Sequence, residues 1–478
     1  MTRKPAKAIL VFTISCAHVL TAALSIAQTT APTSPTLDLK SALDLARHNY
    51  PSIKAKDAEK ESAAYELRLM KNNYLPNFIV QGQVMDATSN QLRGTFFPNE
   101  GTAIPVSGGI KVNGYTNDAV WTSFATGLVN WKFFSFGKYK AAVEEAKAGM
   151  TVAEAEYQNE IFQHQIRVSD AYLLTLMLDD MVKSQRANLS RVKALKDVTV
   201  AYALSGLRPG VDSSLVNAEY SKATLLFLEA QRLANEQNVY LKELLGLTGG
   251  GKLTLDTTVL LQQLPQQLQT EKGFDGNPRL TVYRNTVDFQ QTRIKAIKRR
   301  ELPSVSFLVS GWGRGSGISD KLTDNGDFVY KTSFSAGVPF RAYNYMVGIS
   351  TIWNVTTLFK TSNEARQQRA IVKIAEERYN EESLKIESEW ERARLRYRAA
   401  LEVARQAPVQ LKAAQDAYAQ AKARYDAGFS TVLELTQTFS VLNRAEVDSS
   451  VATGNVWRAI LQYAAATGEF DVFINNLN

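Results

Sequence analysis

The sequence predicts a mainly α-helical chain that also carries pairs of β-strands, built from a duplicated helix–strand–strand–long helix–helix unit. The first observation behind this is the tract Lys138–Leu204, 67 residues with no proline, a single glycine (Gly149) and a composition of strong helix formers. At about 1.5 Å per residue it would run to roughly 100 Å, so it is a strut or a wall rather than a core helix. The second is that Trp131–Gly206 and Trp353–Gly428 are both intervals of 75 residues. The third is that two more intervals recur: 25 residues for Pro51–Pro76 and Pro278–Pro303, and 40 for Gly206–Gly246 and Gly428–Gly468. Length alone would suggest about three domains, but two copies of one supersecondary unit form one architecture.

Taken in order, residues 1–27 read as a secretory signal. Arg3, Lys4 and Lys7 precede an apolar run, and Ser25-Ile26-Ala27 offers small residues for cleavage. A retained membrane anchor is the competing reading, weakened by His18 and several hydroxyl residues in the run. The only cysteine, Cys16, lies inside this segment, and the residues before it make a poor lipidation site. Cleavage leaves a chain near +5 without cysteine, which suits a large exported protein that needs no disulfide.

The first repeat occupies 28–248. Leu39–His48 has helical periodicity, and Pro51 sets the first turn of a second helix that stops at Leu75-Pro76. Phe78, Val80, Gly82 and Val84 then alternate with Ile79, Gln81 and Gln83, predicting a strand over 77–85. A polar loop follows, then a second alternating run over 120–131. The long helix spans 138–204, and after Gly206-Leu-Arg-Pro-Gly210 a return helix covers 211–245. A glycine-rich connector fills 249–276. The second repeat, 277–468, begins at Asn277-Pro278, with strands over 304–312 and 346–354 and helices over 361–426 and 430–467; a tail covers 469–478. Pro408 lies inside the second long helix, where a kink or a lost hydrogen bond costs about 3 kcal/mol. Gly454 weakens the last helix similarly.

Two strands per repeat make four per chain, and strands of about ten residues suffice to cross a membrane. Four cannot close a barrel, and an open edge cannot sit in lipid, so membrane-spanning strands require oligomerisation. Three copies would supply twelve strands. A small soluble sheet is the alternative. After residue 27 no run of 18 apolar residues exists to form a membrane helix.

Composition and motifs exclude several classes. The basic residues are spread along helices without interleaved aromatics, so no nucleic-acid surface is expected. The mature chain has two histidines, His48 and His164; His164 sits among Phe162 and Ile166 and reads as packing or tunnel lining. No metal-ligand spacing, nucleophile motif or cofactor site appears. Gly311-Trp-Gly-Arg-Gly315 fails as a phosphate loop because no helix follows it. No catalysis is expected.

The Asn…Pro to Leu-Pro spacing, the Trp131-x-x-Phe-x-x-Gly137 approach to the first long helix, and Tyr425-Asp-Ala-Gly428…Glu434 together resemble the TolC family of outer-membrane efflux and secretion channels. The second approach departs from that pattern, with Trp353 but no glycine six residues on. The resemblance covers about 39–468. It implies a homotrimer with a twelve-stranded transmembrane β-barrel on a long coiled-coil α-helical tunnel, and an equatorial belt that includes 249–276 and the tail. It further implies docking to a periplasmic adaptor and an inner-membrane transporter, which supplies the energy.

The resemblance also assigns site residues. The turns at Gly206 and Gly428 become the periplasmic end of the tunnel, with Asp212 and Tyr425 hydrogen-bonded as a latch. Ser430 stands where the family has an arginine, so one restraint on the closed state is missing. Glu434 matches a first acidic ring at the entrance, and Gln437 replaces the second. Solvated helix faces are the plain alternative for these residues. Arg293, Lys295, Lys298, Arg299 and Arg300 precede Leu302-Pro303, where the chain would enter the barrel, and could contact outer-membrane lipid headgroups. Phe78, Trp121, Trp131, Trp312 and Trp353 fit an interfacial aromatic girdle. The expected function is a passive export duct; the rival is a periplasmic coiled-coil adaptor or scaffold without a pore.

Overall fold

A computed structural model describes residues 36–90, 109–112, 114–256, 264 and 273–476. The expected signal segment with Cys16, most of the polar loop after the first strand and much of the connector lie outside the described residues. The chain opens with α1 (Leu39–Asn49) and α2 (Pro51–Asn72), followed by β1 (Asn77–Thr88) and β2 (Ala119–Phe134). The long helix α3 (Lys138–Leu204) and its return α4 (Gly210–Leu244) complete the first unit. The second runs through α5 (Pro278–Arg299), β3 (Ser304–Ser316), a short hairpin β4 (Ile318–Leu322) and β5 (Phe328–Tyr330), and the single-turn α6 (Phe334–Gly337). It ends with β6 (Ala342–Ile352), α7 (Thr357–Asp426), α8 (Val432–Thr467) and α9 (Asp471–Ile474). Among the described residues, no helix is long and apolar enough to cross a membrane.

The two units are joined in one four-stranded antiparallel sheet of order β1-β2-β3-β6. Its register separates two faces, since directly paired residues share a face. Phe78, Val129, Val309 and Val347 form one row, and Trp131, Phe307 and Ile349 another on the same face. The opposite face carries the row Gln81, Thr126, Trp312 and Asn344, and the pair Asn77 and Asn130. The apolar face is open, with Val80 73% and Tyr345 86% exposed. All strands run past the expected ends on the side away from the helices, where the glycines of β3 admit a cover. A Cβ at Gly313 would meet the Phe340 ring at 3.2 Å, and one at Gly315 would meet the Pro339 carbonyl at 2.5 Å. These glycines therefore serve close packing. Trp312 sits in mid-strand on the polar face rather than in a girdle at a strand end.

Below the sheet each short helix is stacked end to end with a return helix. Gly246, which closes α4 at φ +67°, would place a Cβ 2.8 Å from Cβ of Asn49; Gly468, which closes α8 at φ +82°, would place one 2.5 Å from Cα of Asn277. A 35-residue α4 and a 22-residue α2 in line thus cover most of the 67-residue α3. The core lies at this level. Tyr172, Leu176, Leu241, Trp457, Ile460 and Phe473 are all but closed to solvent. Tyr172 Oη donates to the Leu37 carbonyl at 2.8 Å, tying α3 to the start of the described chain and to the connector strand at Leu255. His164 is packed, stacked on Tyr50 at 3.9 Å with Nε2 2.8 Å from the Leu244 carbonyl.

α7 runs unbroken for 70 residues through Pro408, which faces solvent, and the missing N–H leaves the Ala404 carbonyl without its helical partner. Gly454 is buried because a Cβ there would meet Met177 Sδ at 2.3 Å, so it lets α8 close on α3.

Candidate functional site

Both long helices end in the same hydrogen-bonded turn. At α3, Leu207 N–H donates to the Tyr202 carbonyl at 2.9 Å and Gly206 N–H to Ala203 at 3.2 Å; at α7, Phe429 N–H donates to Arg424 at 2.8 Å and Gly428 N–H to Tyr425 at 3.0 Å. This is the Schellman arrangement, which needs a left-handed residue, and Gly206 (φ +74°) and Gly428 (φ +80°) provide it. Pro209 then starts α4, while Thr431 caps α8 by accepting from Glu434 N–H at 3.2 Å.

The turns place Tyr425 and Asp212 near each other without joining them directly. Tyr425 is buried, its hydroxyl 3.1 Å from Thr199 Oγ1 on α3, itself closed to solvent. Asp212 pairs with Arg208 at 3.8 Å, and the Arg208 guanidinium lies 4.9 Å from the centre of the Tyr425 ring. The expected hydrogen bond between Tyr425 and Asp212 is therefore not made within the chain. Arg208 bridges them with an ion pair on one side and a cation–π contact on the other. Two arginines, Arg208 and Arg424, make contacts at the tip. Ser430 is buried with its Oγ unpartnered, while Arg208 covers Tyr425 and Arg424 reaches Glu434 at 3.4 Å. Gln437 is exposed on α8.

Thr199, Arg208 and Arg424 were missed by sequence reasoning. Thr199 falls on the stripe Val192, Leu195, Thr199 at helical spacing, and a hydroxyl on an apolar stripe signals a buried partner. Arg208 stands four residues before Asp212, within ion-pairing reach.

At the opposite end the basic cluster divides. Arg293 turns to Glu145 at 3.6 Å. Lys295, Lys298 and Arg299 line a cavity of about 540 Å³ with Phe136, Lys140 and Glu144, and Arg300 lies outside it. Trp131 Nε1 donates to the Tyr74 carbonyl and Trp353 Nε1 to the Glu301 carbonyl, each at 3.0 Å. Each tryptophan thus braces the residue two before its Leu-Pro proline, one brace per repeat. Among the described residues no group of histidine, cysteine or carboxylate side chains could hold a metal ion.

The sequence matches the model of the outer membrane efflux protein family over residues 42–247 and 275–469, nearly all of both units. The chain belongs to the outer membrane efflux protein family. Membership places it in the outer membrane, with its helices extending into the periplasm. No curated protein matches the sequence significantly. Solved structures share the fold. The outer membrane protein VceC from Vibrio cholerae aligns at 15% identity with a TM-score of 0.69, covering 90% of this chain and 96% of that one. The CmeC outer membrane channel of Campylobacter jejuni aligns at 15% and 0.68, covering 90% and 85%. The open state of the MtrE outer membrane channel of Neisseria gonorrhoeae aligns at 13% and 0.66, covering 90% and 89%. This outer membrane efflux protein thus has the shared scaffold, with the bridge Asp212–Arg208–Tyr425 at its tip and Thr199 beneath.

Proposed function

We propose that three copies of this chain form a passive export duct, a twelve-stranded barrel continued by a tunnel of helices. The observation that carries this reading is the sheet, apolar and largely exposed on one face, richer in polar residues on the other, and unpaired along β1 and β6. These edge strands run in opposite directions, so β6 of one copy can pair antiparallel with β1 of the next, and three copies close the ring. Closure leaves no edge in lipid and turns the polar face inward.

The helical tips are the gate in this reading. Leu204, Leu207, Val211, Phe429 and Leu433 are exposed around the two turns, an apolar surface suited to a periplasmic adaptor. Adaptor contact would pull Arg208 from Tyr425, release the hairpins and open the tunnel to cargo delivered by an inner-membrane transporter. Efflux of small molecules and secretion of proteins are both compatible with such a duct. Fractionation tests the reading. A detergent-requiring trimer that gives discrete conductance steps in planar bilayers is expected; a monomer released by salt wash would instead favour the adaptor or scaffold.

A further inference from the structure

The cavity at the junction of sheet and helices is explained by neither the gate nor the barrel. It lies between the first turn of α3 and the last turn of α5, with Lys140, Lys295, Lys298 and Arg299 facing two carboxylates, Glu144 and Glu301. Among the described residues, Lys140, Lys295 and Lys298 form no ion pair. Cations at the end of α5 have an ordinary explanation, since a helix C-terminus favours them. Those at the start of α3 do not. There the dipole is positive, no acidic residue occupies the first turn, and no side chain caps the end. Lys138 and Lys140 thus crowd a site that already favours anions. Burial, reinforced by nearby Lys132, pushes the Lys138 ammonium below the usual lysine range. An anion in the cavity would relieve that crowding and meet free N–H groups of α3.

Depth identifies the source of the anion. Trp131 near the end of β2 and Trp353 just past β6 lie at this level, and Phe133, Phe134 and Phe136 are exposed beside them. Such aromatics mark the boundary between hydrocarbon and headgroups. Phe136 and Leu302 line the cavity itself, on the side nearer the sheet, and Arg299 is pinned to the Phe136 carbonyl at 3.4 Å. We propose that the cavity binds the phosphate of an anionic phospholipid from the leaflet on the helical side, with the acyl chains running up past Phe136 and Leu302. This rests on the reading of the strands as membrane-spanning.

Titration of the detergent-purified full chain with phosphatidylglycerol, phosphatidylcholine or inorganic phosphate, read by native mass spectrometry, tests it. Phosphatidylglycerol should bind roughly tenfold more tightly than phosphatidylcholine, and Lys140→Gln with Lys295→Gln should abolish that preference. The pair Lys140→Arg with Lys295→Arg should keep it, and Lys422→Gln at the far tip should change nothing. Equal retention of both lipids by the unaltered chain overturns the proposal, as does an undiminished preference in a folded glutamine pair. Displacement of the lipid by equimolar inorganic phosphate overturns it too, since the site then takes a free anion. Conducting channels without lipid preference would sink this inference alone, whereas a soluble protein would sink the channel reading.

Discussion

Tyr425 keeps a hydroxyl where a phenylalanine would fill the same space, because Thr199 Oγ1 has no solvent to turn to. Tyr425→Phe should therefore leave Thr199 unsatisfied and loosen the tip by about 1 kcal/mol. In planar bilayers the expected result is a higher open fraction; unchanged conductance would remove Tyr425 from the gate. Arg208→Met should have the larger effect, since it frees Asp212 and uncovers the Tyr425 ring together. The pairing of Arg424 with Glu434 refines the expectation for an entrance ring, because a carboxylate beside a guanidinium presents less net charge. Glu434→Gln should lower cation preference and Arg424→Ala should raise it, both read from reversal potentials. Opposite signs for the two are essential; a common direction would mean that the pair does not face the conducting path. Tyr425, Asp212 and Glu434 were singled out by the family resemblance. Arg208 as the bridge was not, since the direction of a side chain leaving a turn depends on the neighbouring helix.

Burial also decides the chemistry of His164, pushing its imidazole below the usual histidine range against the pull of the hydrogen bond to the Leu244 carbonyl. The unfolded chain takes up a proton as pH falls below about 6.5 that the folded chain resists. The contribution of His164 is thus whole above that pH and is lost as pH falls toward the lowered folded value. Thermal melting in detergent should drop between neutral pH and about pH 5, and by less in His164→Phe. Equal drops would show that other groups dominate acid sensitivity.

At the scale of elements, each glycine that closes a return helix lies against an asparagine that precedes a short helix, Gly246 against Asn49 and Gly468 against Asn277, so two helices meet end to end in each unit. Asn277 holds the second junction by donating to the carbonyls of Ala465 and Ala466 and accepting from Arg279 N–H. Gly468→Ala would force a left-handed Cβ against the Asn277 backbone and should cost about 3 kcal/mol, against about 1 for a lost cap in Asn277→Ala. Melting temperatures should rank the two in that order. Gly454→Ala sets helix propensity, worth about 1 kcal/mol in favour, against overpacking on Met177, which costs about 1–3. Net destabilisation is expected, and a stabilised variant would show that Met177 yields freely. The strand pattern was readable from alternation, but the short β4–β5 hairpin was not, because its few residues have little period to read.

At the scale of the molecule, the proposed trimer rests on surfaces that the single chain leaves open. Its sheet has two open edges and an apolar face covered only at the α6 end, and its helices leave Leu225, Leu384, Leu395 and Val409 exposed. Cysteines introduced in pairs on β1 and β6 cannot meet within one chain, since these are opposite edges of the sheet. The only native cysteine, Cys16, falls within the expected secretory signal, so oxidation should produce a disulfide-linked trimer and stop there. A ladder extending beyond three would mean an open array, and an absence of cross-linking would mean that the sheet does not close between copies.

The duplication, the length of the helical wall, the alternation of the strands and the glycine at each reversal can all be read along the chain. All of these are local or periodic properties, set by propensity, dihedral freedom and spacing. Only the tertiary structure decided which side chains meet: Arg208 over Tyr425, Trp131 and Trp353 on matching carbonyls, Gly454 against Met177, and Lys140 across a cavity from Lys295. Those contacts join residues from separate helices and strands, and their geometry exists only once the helices have packed and the register of the sheet is set.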